Sequence, residues 1–124
     1  MDSQETLAFA QRLMREVWEP LDARAVPRFY HPDVIGHNRQ QLLTYDDVVH
    51  RIVTDHPRYP NPVFDIQDIV AAQDKWAIRF IFTSTGSTGQ GVTTEVIYFY
   101  HLRDGKIAEF WLLADVPFDY KAET

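Results

Sequence analysis

The chain contains no cysteine, so any chemistry it performs unaided falls to carboxylates, imidazoles, hydroxyls and cationic side chains. Thiolate nucleophiles, disulfides and Cys-ligated zinc are excluded. Among the carboxylates Asp115 stands out, because it ends DGKIAEFWLLAD (104–115), an apolar strand pattern that needs no acid. Walled by Trp111, Leu113 and Tyr98, it would lose solvation, and its pKa would rise toward the range useful for proton transfer. The plainer alternative is a strand that surfaces into water at Asp115, just before Val116-Pro117. His37 titrates near neutrality and is the expected partner, able to orient Asp115 or to donate to a substrate oxygen. Tyr98 and Trp111 are expected pocket walls, with the Tyr98 hydroxyl available to an oxyanion. Tyr30 and Tyr59 are expected at the rim or in the pocket. Glu109 is either a second acid or a solvated strand position. Arg79, in WAIRFIF, either meets a pocket carboxylate or lies on the opposite sheet face.

Other chemistries find no support in the spacing. The five histidines show no HxH or HxxxH pair, so no metal site is expected. GSTGQG is followed by another strand pattern, which offers no helix N-terminus to a phosphate. There is no GxSxG and no Walker sequence. The expectation is chemistry without a cofactor.

Three helices and a run of strands must position these groups. In DSQETLAFAQRLMREVW, the residues Leu7, Ala10, Leu13, Met14, Val17 and Trp18 recur at helical spacing. Asp2 and Glu5 have capping-box spacing, Ser3 is an alternative cap, and Pro20 closes the helix. LDARAVPRFYHPD predicts a short second helix, either starting near Pro27 or distorted by it. DVIGHN predicts a strand or hook. TYDDVVHRIVTDH predicts a third helix capped by Thr44, burying Val48, Val49, Ile52 and Val53. PRYPNP (57–62) predicts an extended connection.

From residue 63 the pattern alternates, and VFDIQDIVAAQ, KWAIRFIFTST, VTTEVIYFYHLR and KIAEFWLLAD read as four strands. Asp104-Gly105 marks a two-residue hairpin turn. An uninterrupted register from that turn sets Tyr98 opposite Trp111, Val96 opposite Leu113 and Thr94 opposite Asp115. It puts His101 on the face opposite Asp115. Both faces are apolar, so both should be covered: one by the helices around a cavity, the other by a second copy of the chain. Helices first and strands later predict an α+β domain spanning 1–124, with the helices on one face of a curved antiparallel sheet.

The formal net charge of -6 is spread along the chain, and no basic stripe offsets it, so nucleic-acid binding is not expected. Small neutral or apolar ligands fit better. No apolar run reaches the ~20 residues of a membrane span. The opening MDSQETLAF lacks the layout of a secretory leader. With the absence of cysteine, this makes the cytoplasm the expected compartment.

The order of elements and two motifs resemble the SnoaL-like branch of the NTF2-like superfamily. Tyr30, Pro32, Asp33, Val34 and His37 match a Y-x-P-D-V-x-x-H piece after the second helix. Leu102 through Ile107, with Glu109, Trp111 and Asp115, match an L-R-D-G-K-I-x-E-x-W-x-x-x-D finish. The resemblance implies an NTF2-like cone: N-terminal helices packed in a strongly curved, mostly antiparallel sheet, with a pocket inside and a homodimer contact outside. It also implies that Asp115 matches the acid/base aspartate of the family's cyclases, and His37 a histidine facing the same pocket. The expected function is acid/base catalysis of the isomerase, cyclase or lyase type on a small hydrophobic carbonyl compound. Two alternatives remain open: a binding or dimerisation module without turnover, and an epoxide hydrolase with Arg79 beside Asp115.

Overall fold

Asp2 opens the first helix with a reciprocal cap. Its side chain accepts the Glu5 N–H, and the Glu5 side chain accepts the Asp2 N–H. The computed structural model describes residues 1–85, 91–115, 120 and 121. Helix α1 (Ser3–Leu13) runs into a π-helical turn at Met14–Trp18, where the Glu19 N–H bonds the Met14 carbonyl at 2.8 Å. The wider turn keeps Met14, Val17 and Trp18 all buried. After a short 3-10 turn, α2 (Val26–Phe29) carries Pro27 in its first turn, where a missing N–H costs nothing.

The chain then forms β1 (Tyr30–Asn38) and β2 (Gln41–Leu43), helix α3 (Tyr45–Arg58), and strands β3 (Val63–Ala71), β4 (Lys75–Ser84), β5 (Val92–Arg103) and β6 (Lys106–Ala114). The six strands make one sheet in the order β2-β1-β6-β5-β4-β3. Among the described residues only β1 and β6 pair in parallel; the other neighbours are antiparallel. This is an α+β fold with helices on one sheet face, as the pattern predicts. Among the described residues, no helix is long and apolar enough to cross a membrane.

Several local expectations need correction. Beta strand β1 begins at Tyr30 and is longer than DVIGHN alone. Helix α3 continues through Pro57 to Arg58, so the extended connection starts later than PRYPNP suggests. Thr44 caps α3 as expected, with Asp47 returning the bond, but Val53 is 57% exposed and Arg51 is buried in its place. The buried stripe of α3 therefore runs through Val48, Arg51 and Ile52 toward Asp55.

The turn after β5 adopts the left-handed backbone that Asp-Gly favours, with φ of 51° at Asp104 and 77° at Gly105. Arg103 pairs with Lys106 and Leu102 with Ile107. His101 then pairs with Glu109, so Ala108 is an extra residue, a β-bulge. Beyond it the register is displaced by one. Tyr98 lies opposite Leu112, Phe99 opposite Trp111, and Val96 opposite Ala114. The inner face thus carries Tyr98, Tyr100, Phe110 and Leu112. The outer face carries Ile97, Phe99, His101, Glu109, Trp111 and Leu113.

The inner face is a stack of rings. Trp76 lies on Tyr100 at 4.0 Å, Tyr100 on Tyr98 at 5.4 Å, and Tyr98 on Phe80 at 6.1 Å, each pair within 15° of parallel. Because alternate residues of adjacent strands supply them, these rings form a rigid wall that the helices cover.

Candidate functional site

Between that wall and the helices lies a cavity of about 100 Å³, lined mainly by apolar and aromatic side chains. Met14 and Trp18 from the π turn close one side, and Phe80, Val96, Tyr98 and Leu112 from the sheet close another. Helix α3 supplies the two charged side chains among the described lining residues, Arg51 and Asp55. Their four-residue spacing puts them on one helical face. Arg51 Nε donates to Asp55 Oδ1 at 2.9 Å, and Nη2 lies 2.8 Å from the same oxygen. The Arg51 side chain is 1% exposed and that of Asp55 13%.

Burial pushes the Asp55 carboxyl above its ordinary value. Arg51 opposes the shift by its charge and hydrogen bond, and Arg58 and His50 oppose it less. The direction is that of a carboxyl in a mostly apolar pocket with one cationic partner, the setting that tunes an acid/base group. Tyr98 is buried, and its hydroxyl is pushed up by that burial and then by the charges of Tyr30 and Asp55. It therefore stays protonated, and a hydrogen bond with the Tyr120 side chain offsets part of the rise. Tyr30 is raised by burial as well, and it accepts the Trp18 Nε1–H at 3.2 Å.

The residues singled out from the sequence divide between the two faces. Tyr98 and Tyr59 line the cavity, and Tyr59 also packs edge-on against Phe82 at 5.3 Å. Tyr30 is buried behind the cavity, against Phe110 and Trp18. Asp115, His37, Trp111 and Leu113 are not among the lining residues. Asp115 is exposed at the end of β6, opposite Glu95 rather than Thr94; its Oδ1 accepts the Glu95 N–H at 3.2 Å. His37 stacks on Trp111 at 5.1 Å, and its Nε2 lies 2.6 Å from Glu109 Oε2. That cluster is on the outer face, and Leu113 beside it is 61% exposed. Arg79 is also outside, paired with Asp68 and Glu95 at 2.8 Å each.

The bulge at Ala108 explains the separation. Without it, Tyr98 and Trp111 would share a face; with it, they are back to back. The Arg51–Asp55 pair escaped the sequence reading because two charged residues on a helix suggest a solvated face. Their spacing from Val48 and Ile52 was the available signal, since positions 48, 51, 52 and 55 form one stripe. The GSTGQG segment (86–91) lies, except for Gly91, outside the described residues. Of the segment PFDYKAET, only Tyr120 and Lys121 are described. Among the described residues, no group of three His, Asp or Glu side chains could hold a metal ion.

The family model for SnoaL-like polyketide cyclases matches residues 8–117. The chain belongs to that family, within the NTF2-like superfamily. Solved structures agree on the fold. AclR of Streptomyces galilaeus, a candidate hydroxylase, superposes with a TM-score of 0.83 at 20% identity, covering 92% of this chain and 77% of AclR. TsrD of Streptomyces laurentii gives 0.79 at 16% identity, covering 93% and 91%. IdmH of Streptomyces antibioticus, a candidate polyketide cyclase, gives 0.77 at 19% identity, covering 90% and 92%. Identities this low carry the fold and leave the reaction open. No curated protein matches the chain significantly.

Proposed function

We propose that the chain is a cofactor-independent acid/base enzyme acting on a small hydrophobic carbonyl compound, with Asp55 as its proton-transfer group. The observation that carries this reading is a carboxyl of raised pKa on the wall of an apolar cavity, held at one oxygen by a buried arginine. In this reading the Asp55 carboxylate takes the proton from the carbon beside a substrate carbonyl. The electron pair moves to the carbonyl oxygen, where the Tyr98 O–H donates a hydrogen bond. The enolate then either takes the proton back at another position, which is isomerisation, or attacks a second carbonyl of the same molecule. In the second case a carbon–carbon bond forms, the new alkoxide takes the proton from Asp55, and the carboxylate is restored.

The family's small-molecule chemistry and the apolar lining support a neutral ligand of this kind. We infer in addition that the outer face joins two copies of the chain. Ile35, Ile97, Phe99 and Leu113 form an exposed apolar patch there around the His37–Trp111 stack.

Asp55→Asn is the decisive variant. Turnover of a 1,3-dicarbonyl or aryl ketone, followed by deuterium uptake at the α-carbon, is expected to fall by ~10²–10⁴-fold, with ligand affinity kept. Asp115→Asn is expected to exchange at the wild-type rate. If Asp55→Asn exchanges normally, Asp55 is not the base. If the wild-type protein binds the ketone and exchanges nothing, the cavity belongs to a binding module.

A further inference from the structure

Near the chain's end, Tyr120 brings a second phenol to the wall that holds Tyr98. Both side chains line the cavity, and both are buried. Phe110 packs against each of them, its ring 6.1 Å from that of Tyr98 and 6.4 Å from that of Tyr120. Arg51 Nη1 donates to the Tyr120 carbonyl at 2.9 Å, and Lys121 Nζ lies 3.5 Å from Asp47 Oδ2 near the start of α3. The guanidinium that pairs with Asp55 therefore also holds the backbone that delivers the Tyr120 hydroxyl. That hydroxyl is hydrogen-bonded to the Tyr98 side chain, and the bond opposes the rise in the Tyr98 pKa. A bond has that sign when Tyr120 donates and Tyr98 accepts, because it then favours the ionised form of Tyr98. A hydroxyl that accepts a bond still has its own hydrogen to give. The Tyr98 ring is itself held by its stacks on Phe80 and Tyr100. What remains to be fixed is the direction of its O–H, and the bond from Tyr120 takes up one side of that oxygen.

We propose that Tyr120 is a positioning residue for the proton transfer: anchored by Arg51, it donates its hydroxyl to Tyr98 and so turns the Tyr98 O–H toward the substrate carbonyl oxygen. This rests on the reading of Asp55 as base and Tyr98 as donor, and it deepens that reading by naming the group that aims the donor. Negative charge grows on the carbonyl oxygen as Asp55 takes the α-proton. Tyr98 then gives more of its hydrogen to that oxygen and draws harder on the one it receives from Tyr120. The Tyr120 bond is therefore stronger in the transition state than with the bound ketone. Its loss lowers kcat and leaves KM unchanged.

The test is α-deuterium exchange of pentane-2,4-dione, corrected for the spontaneous rate, in the wild type, Tyr98→Phe, Tyr120→Phe and the double variant. Tyr120→Phe keeps the ring and the backbone contact to Arg51 and removes only the hydroxyl. It is expected to lower kcat ~3–10-fold, as for one neutral hydrogen bond, with KM unchanged. Tyr98→Phe is expected to lower kcat ~10²-fold. The double variant is expected to match Tyr98→Phe alone, because Tyr120 acts only through Tyr98. A merely structural role would slow both backgrounds alike. Losses that multiply, a Tyr120→Phe variant with wild-type kcat, or a loss that lies in KM overturns the proposal. Circular dichroism confirms folding. If Tyr120→Phe does not fold, the wild-type protein is examined by proton NMR for a nuclear Overhauser contact between the Tyr98 and Tyr120 hydroxyl hydrogens, and its absence overturns the proposal. Asp55→Asn keeps the two readings apart. Exchange lost in Asp55→Asn, with Tyr98 and Tyr120 losses that multiply, defeats only the role of Tyr120. No exchange in the wild type, or exchange that survives Asp55→Asn, defeats the acid/base reading and takes the role of Tyr120 with it.

Discussion

Strands β5 and β6 carry aromatic and branched residues on both of their faces, yet the two faces have different surroundings. Inside, Tyr98, Tyr100, Phe110 and Leu112 are nearly free of solvent, and the charge they meet comes from another element, the Arg51–Asp55 pair of α3. Outside, Phe99, Trp111 and Leu113 lie beside His37, Glu109 and Arg79, whose charged partners are themselves partly solvated. Strong pKa perturbation needs loss of water as well as a neighbour. The inner carboxyl Asp55 has lost most of its water, and its pKa is raised. A hydrophobic strand is therefore a poor guide to where an acid will be activated; the enclosure opposite the strand decides it.

The comparison is most easily broken at Arg51. Arg51→Met leaves Asp55 in its pocket without a counter-charge, and the expected loss is about 3–5 kcal/mol in urea unfolding at neutral pH. The pH dependence follows from the direction of the Asp55 shift. Its folded pKa exceeds the ordinary 3.8, so its contribution to stability is fully present below that value and is lost as pH rises through the folded pKa. Removing Arg51 removes the strongest of the groups that oppose the rise, so the folded pKa climbs further. The deficit of Arg51→Met should accordingly be largest near neutrality and shrink toward pH 4. A deficit independent of pH would mean that lost packing, rather than charge, accounts for it.

Gly36 gives a smaller, purely steric test of the inner face. A methyl group there would sit 2.2 Å from Cζ of Phe110, whose ring is 1% exposed and hemmed in by Tyr30, Tyr98, Tyr100 and Tyr120. Gly36→Ala is expected to cost about 1–3 kcal/mol by overpacking, measured by thermal or urea unfolding. A near-neutral result would show that the inner wall yields, against the rigid stack described above.

How legible this was differs by level. The helix stripes, the Asp2 and Thr44 caps, the four long strands and the Asp104-Gly105 turn are local features, each set by periodicity or by one residue's backbone preference. Parallel pairing of β1 with β6 is nonlocal and left no such mark. Neither did the bulge, because Ile107, Ala108 and Glu109 look like any other stretch of strand. That one inserted residue moved Trp111 and Leu113 away from Tyr98, and with them the local surroundings expected for Asp115. Tyr98 and Tyr59 line the cavity all the same, although the register that was expected to set Tyr98 beside Trp111 is displaced by the bulge. Asp55 was missed because hydrophobic patterning treats a charge as a vote for water. Only its stripe partners Val48 and Ile52 argue otherwise.

The outer face offers the smallest effect and the sharpest contrast with the inner one. Leu113 is largely solvated in the single chain, so Leu113→Ser should change the unfolding free energy of the monomer by no more than about 0.5 kcal/mol. The His37–Glu109 contact is half in water, and Glu109→Gln should cost about 1 kcal/mol or less. If this face joins two copies, both changes act where the monomer does not feel them. Sedimentation equilibrium should then show Leu113→Ser shifting the chain toward monomer while dilute unfolding curves hardly move. The same serine on the inner face, at Leu112, should reverse the pattern, with stability falling first and association following only through unfolding. An outer-face variant that unfolds as easily as Leu112→Ser would erase the distinction between the two faces, because the solvated side would then be carrying core energy.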